Sequence, residues 1–359
     1  MASAVPARRN SVKRAVILGG AAVAAAVVPL PAEWVDRAYS RAIYPLLQAP
    51  ITAASNAVPF ALFDALVGVV FVAWVLIAVR DVRATGWTAA ARSALVRTTA
   101  WSGAAYLAFL ALWGLNYRRV PLDRSLPFDR RAITREHAGR VAATAMERLN
   151  ALAGEAHRTG WRPAGEIDPP LRDGLSAAVR DLGIAPPRAG RPKHTLLDLY
   201  FRRAGVEGMT DPFLLETLVV SDLLPFERPF VIAHEWSHLA GLAEESAASF
   251  AGWLACVRGS VPDQYSGWLF LYDELSAALP RADRTAVASA LGDTPRADLA
   301  AAHARVLANI QPNVSAVAWR AYDSYLKSNR VASGTRSYDE VVQLVLGTDF
   351  DENWHPKRR

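Results

Sequence analysis

The sequence predicts a mainly α-helical chain in two parts, a three-helix transmembrane region and a mostly helical domain with a small β element. Three observations carry this. Residues 15–32, 59–79 and 98–117 are apolar stretches with at most one charge each, about as long as a bilayer is thick. Beyond residue 117 apolar residues mostly recur at helical rather than alternating spacing. With 359 residues, 52% of them hydrophobic, the chain can fill one sizeable core and still have apolar segments left for a membrane.

The first span, 15–32, follows Arg8, Arg9, Lys13 and Arg14 and ends in Pro29-Leu-Pro31 without a small-residue cleavage site, so it reads as a retained span rather than a signal peptide. The second carries only Asp64, near its start, where an interfacial or capping role is expected. The third has no charge, and Trp101, Tyr106, Trp113 and Tyr117 suit the aromatic belts at the two interfaces. Basic residues before span one and between spans two and three (Arg80, Arg83, Arg92, Arg97) outnumber Arg37 and Arg41 between spans one and two. This places residues 1–14 in the cytoplasm and residues 118–359 outside it, although Arg118, Arg119 and Arg124 run against that bias.

In the second part, Val141, Ala145, Leu149 and Leu152 mark one amphipathic helix and residues 171–182 another. Pro169-Pro170, Pro186-Pro187 and Pro192 read as breaks and exposed linkers. Residues 216–220 turn strand-like, a candidate edge for aligning an extended peptide. Helices are then expected at 265–279 and 281–291, with one long helix over 295–327.

Between the strand and those helices lies Phe230-Val-Ile-Ala-His234-Glu235-Trp-Ser-His238-Leu-Ala-Gly241. Positions four apart stack on one helix face, so His234 and His238 can share one metal ion. Glu235, about 100° around the helix, is placed to take a proton from water at that metal. Pro229 suits the first helical turn and Gly241 the residue past the last. A catalytic zinc keeps three protein ligands and an open position. Glu244 and Glu245 both offer the third ligand, and the pattern favours Glu245, which opens a new amphipathic helix with Phe250, Trp253, Leu254 and Val257 on its packing side. Tyr322, Tyr325 and Tyr338 are candidate oxyanion stabilisers. His137, His157, His194, His303 and His355 lack ligand spacing, and the single cysteine, Cys256, is expected in the core.

The run from Pro225-Phe226 through HEWSH to Glu245-Ser-Ala-Ala-Ser249-Phe250 and Cys256 resembles the zincin-like region of the domain of unknown function 3810 family, bacterial multi-span membrane proteins. Tyr39 to Pro45, Pro59-Phe60 with Asp64, Trp113-Gly-Leu-Asn116-Tyr117, Asp211-Pro-Phe213 with Glu216, and Tyr325 to Tyr338 resemble further segments in the same order, covering roughly residues 30–345. The resemblance implies a zincin-like, gluzincin-type domain with Zn²⁺ on His234, His238 and Glu245, Glu235 as general base, and a peptide or protein substrate. It also implies a multi-pass protein of the bacterial inner membrane. The chain departs from the family pattern at Ala247 and Ser249, where an acidic residue and an Asn are implied; the second is a position that would orient a ligating histidine. That departure keeps a catalytically degenerate binding or assembly protein as the alternative. The same donor set also suits iron or manganese. A net charge of +6, scattered beside apolar runs with no aromatic-basic pattern, argues against nucleic acid. Three spans with one carboxylate argue against a transporter.

Overall fold

The computed structural model describes residues 4–329 and 340–357. Helix α1 (Ala4–Val27) leads to a short α2 (Ala32–Trp34), which runs through a π-helical stretch (Val35–Ile43) into α3 (Tyr44–Asn56). Two long apolar helices follow, α4 (Leu62–Thr85) and α5 (Trp87–Leu112), both long and apolar enough to cross a membrane. The segment expected as the first span qualifies only together with its continuation, which bends away by 107°. The chain turns at Pro29-Leu-Pro31, where proline withholds donors from the helix ladder and disfavours helical backbone before it.

Small residues set how these helices meet. A side chain at Gly103 would fall 2.8 Å from the backbone of Leu18, so α1 and α5 touch nearly backbone to backbone. The third span was expected to run to Tyr117, but α5 stops at Leu112 and a 3₁₀ turn, Gly114–Arg118, follows. Trp113 and Tyr117 are buried against the domain and do not serve as belt residues. One continuous core joins Val35, Phe109 and Trp113 to the domain helices.

The domain comprises short α6 (Leu122–Ser125), α7 (Arg135–Thr159), α8 (Pro169–Asp181), α9 (Asp198–Ala204), α10 (Arg228–Leu239), α11 (Glu245–Val257), α12 (Val261–Ala278), α13 (Arg281–Ser289), α14 (Asp293–Asn309), α15 (Pro312–Ser328) and α16 (Glu340–Gly347). Helix α11 is buried on every side from Glu245 to Cys256, wrapped by α8, α10, α12 and α16, with its own Trp253 and the neighbouring Trp236 and Trp268 fully enclosed. The helix expected over 295–327 is two helices: Pro312 cannot continue a ladder from α14, and Ile310 and Gln311 are extended.

The β element is a three-stranded sheet in the order β1 (Pro192–Lys193), β3 (Thr217–Val219), β2 (Gly208–Thr210), with β1 parallel and β2 antiparallel to β3. The strand-like run at 216–220 is therefore the central strand, and the edge beside the motif helix is β2. The sequence hid this because β1 is two residues long and begins with a proline, in a stretch that reads as exposed linker. Instead Lys193 is buried and ion-paired with buried Glu216 at 2.6 Å. Glu216 also accepts from the backbone N–H of Leu62 (3.1 Å) and Phe63 (2.7 Å), so a domain carboxylate caps α4, where the helix dipole favours a negative charge.

Candidate metal centre

The geometry of the site begins with how α10 ends. Gly241 adopts φ +82°, its N–H reaching His238 O at 2.9 Å while Leu242 N–H reaches Ser237 O at 3.2 Å, the paired bonds of a Schellman stop. The chain reverses there, and α11 returns against α10 so closely that a side chain at Gly252 would lie 2.9 Å from His234 N and 3.1 Å from its Cα. This approach delivers Glu245, in the first turn of α11, to the two histidines.

Three donor atoms converge. His234 Nε2 lies 3.1 Å from Glu245 Oε2 and 3.1 Å from His238 Nε2, and His238 Nε2 lies 3.4 Å from Glu245 Oε2. Donors held at zinc distances of about 2.0–2.2 Å in a tetrahedral site stand about 3.3–3.6 Å apart, so the set fits a zinc ion within a few tenths of an ångström. The far sides of the ligands are held as well. His238 Nδ1 is 2.7 Å from Leu242 O, a carbonyl that takes an Nδ1 proton and turns Nε2 toward the other two donors. His234 Nδ1 is 3.1 Å from Ser249 Oγ. Tyr322 donates its hydroxyl to Glu245 Oε1. Trp113 Nε1–H donates to His238 O at 3.1 Å, and its ring meets the His238 ring edge-on.

The residues of this site fall within the stretch that a family comparison matches. A family model described as a protein of unknown function, DUF3810, matches residues 39–346. The chain belongs to the DUF3810 family. No curated protein matches it, and no solved structure matches it.

In this DUF3810 chain Glu235 is buried at 4% exposure, and Thr210 of β2 offers its hydroxyl to Glu235 Oε2 at 2.9 Å and to the Glu235 backbone oxygen at 2.8 Å. Gly208 leaves room for the carboxylate, since a Cβ there would stand 2.5 Å from Glu235 Oε1. Burial raises the Glu235 pKa above the usual carboxylate range, against the opposing pull of His234 and His238. Burial would raise Glu245 too, but the imidazoles, His238 foremost, hold it far below that range. Burial alone would lower His238; the Glu245 carboxylate outweighs it and the pKa rises to about 9. Two buried carboxylates in one small site are thus pushed apart, one toward the protonated form and one held ionised, an arrangement common where acid-base work is done.

A cavity of about 410 Å³ opens onto His234, Glu235 and Ser249. Phe226, Phe230, Leu269, Phe270 and Trp319 supply apolar wall, and Glu207, Asp273 and Glu274 supply carboxylates. The structure brings His234, His238, Glu245 and Glu235 together and leaves Glu244 out: that residue lines a separate small pocket with Arg119 and Ala247. Ala247 therefore faces away from the histidines, whereas Ser249 sits where a partner for His234 was expected. Tyr325 stacks on Tyr322 and meets Tyr117, and Tyr338 lies outside the described residues. Among the described residues no other group of three His, Cys, Asp or Glu converges in this way. His157, His303 and His355 each pair with a single aspartate. Thr210, Gly208 and Trp113 were not singled out for the site from sequence. They come from distant segments, and only the Trp113-Gly-Leu-Asn-Tyr run carried any signal.

Proposed function

We propose that this chain is a membrane-anchored metallopeptidase that hydrolyses peptide bonds, with Zn²⁺ held by His234, His238 and Glu245 and Glu235 as general base. The observation that carries the reading is the convergence of His234 Nε2, His238 Nε2 and Glu245 Oε2 beside a buried carboxylate on the wall of a 410 Å³ cavity. Zinc bound there supplies a Lewis acid for the scissile carbonyl and brings the pKa of water toward about 7. Glu235, held by Thr210 and desolvated, takes the proton from the attacking water and returns it to the leaving amine nitrogen. The raised Glu235 pKa makes the carboxylate a stronger base for that first transfer. Tyr322 and Ser249 fix Glu245 and His234 in place. Strand β2 ends beside Glu235, and its outer edge is where an extended peptide would pair.

The membrane part is read as α1, α4 and α5 crossing the bacterial inner membrane, with the amino terminus cytoplasmic and the site extracytoplasmic. The degenerate alternative rested on the departures at Ala247 and Ser249; the Ser249 hydroxyl 3.1 Å from His234 Nδ1 supports the active reading, since it can hold that imidazole as an Asn would. The test is hydrolysis of a mixed peptide substrate set by detergent-purified protein. Glu235→Gln should keep wild-type metal content and lose hydrolysis by at least about 100-fold, the scale of a lost general base; undiminished hydrolysis would sink the assignment.

A further inference from the structure

Helix α4 enters its apolar run at Leu62, and its first turn is tied to a domain loop. Asp64 accepts from Thr195 Oγ1 at 2.6 Å and from the backbone N–H of Leu196 at 2.8 Å. The carboxylate expected in an interfacial or capping role binds a segment 131 residues further on. What that segment presents to the outside is apolar: Leu196 is 88% exposed, Leu199 50% and Tyr200 48%. Four large apolar or amphipathic side chains, Leu197 among them, stand within six residues of the Asp64 contact, on the first turn of α9 and the loop before it.

A second element supports the same boundary. In α3 the polar side chains face inward: Tyr44 donates to Leu239 O, Gln48 to Arg188 O, Thr52 to Leu215 O and Ser55 to Glu216. Its outward face carries Leu46 at 76% exposure, with Ala49 and Ala54 also exposed. That is the reverse of a helix facing water. Phe60, 59% exposed, continues this face to the start of α4.

We infer that Leu196, Leu197, Leu199 and Tyr200 insert into the bilayer interface, forming with the outer face of α3 an apolar collar around the point where α4 enters the lipid. The occupant is lipid because the loop is hydrogen-bonded to the first turn of a membrane helix, which fixes its depth at the interface. Leucines contribute buried area there, and Tyr200 has the amphipathic ring found at that depth. This rests on the reading of α4 as a membrane span. The collar also touches the site: α9 ends at Ala204, and Gly205 to Gly208 after it form one wall of the cavity beside Glu235. Docking on lipid would thus hold the cavity within a short helix of the membrane surface, where membrane-anchored polypeptides emerge.

The experiment uses the full chain in lipid vesicles, with single cysteines introduced at Leu196 and Leu199 and labelled with an environment-sensitive fluorophore. Native Cys256 is fully buried, so the new thiol is the reactive one. Val72→Cys, exposed on α4, and Glu147→Cys, exposed on α7, serve as references. Lipid-borne nitroxide should quench the labels at 196 and 199 to within about two-fold of the label at 72, and well beyond the label at 147. Quenching at 196 and 199 by aqueous iodide instead would overturn the inference. Protection from both quenchers would also overturn it, since that marks a protein partner such as a second copy of the chain. If the label at 72 escapes the lipid quencher as well, the span reading itself has failed.

Discussion

Gly252→Ala is the substitution that tests how the site is assembled. The added Cβ would sit 2.9 Å from His234 N, 3.1 Å from His234 Cα and 3.2 Å from Ala233 C, all backbone atoms of α10 that cannot rotate away. Carbon contacts relax at about 3.5–4.0 Å, so α10 and α11 must separate by roughly half an ångström or more. Helix α11 is enclosed by four other helices, and such overpacking costs about 1–3 kcal/mol. Glu245 lies two turns along the same helix, so the displacement carries its carboxylate away from donor atoms now 3.1 and 3.4 Å distant. Metal sites tolerate only about 0.2 Å, and disturbances of this size weaken binding by about 10–100-fold. Zinc affinity measured by chelator competition should therefore drop by that factor in Gly252→Ala, with the melting temperature of the metal-free protein also lowered. Wild-type zinc affinity in a folded Gly252→Ala protein would refute the claim that this helix contact sets the ligand spacing.

Three further outcomes are expected. Ser249→Ala removes the partner of His234 Nδ1 and should weaken zinc binding by about ten-fold in the same competition assay, with Ser249→Asn restoring it. Gly208→Ala places a methyl 2.5 Å from Glu235 Oε1 and should depress hydrolysis while metal content stays at the wild-type level, because the metal ligands lie on other elements. Asp263 tests the electrostatics away from the site: burial raises its pKa to about 6, against about 3.9 in the unfolded chain, despite the hydrogen bonds from Ser260. The folded state therefore binds more protons between these values, so stability falls as the pH rises from about 4 to 6, by about 3 kcal/mol from this group. In Asp263→Asn that part of the slope in melting temperature against pH should vanish; an unchanged slope would assign it elsewhere.

How much of this was legible in the sequence follows from how local each feature is. The motif helix, its proline start and its glycine stop are set within a dozen residues, and His234, Glu235 and His238 could be placed by helical geometry alone. Glu245 was harder, since two glutamates compete in the sequence; the packing of α11 on α10 brings Glu245 to the histidines and leaves Glu244 in a separate pocket. The long apolar runs of α4 and α5 announced themselves. What escaped depends on distant partners. Thr210 and Gly208 reach Glu235 only because β2 is an edge strand, and the central place of β3 depends on a two-residue strand beginning with proline. Trp113 looked like an interfacial residue because a tryptophan at the end of an apolar run usually is one; here its N–H is taken by His238 O. Asp64 looked like an interfacial or capping residue, and the cap is Glu216 from far along the chain. The break before Pro312, by contrast, was readable from the proline itself and was passed over in favour of a continuous apolar pattern.

The most direct test of the central claim is the metal content of the detergent-purified protein, measured by elemental analysis beside His238→Ala and Glu245→Ala. The account predicts about one zinc per chain in the wild type and its loss in both variants, since each removes one of three ligands. Wild-type protein that stays metal-free when zinc is supplied, or zinc retained in both variants, would contradict it.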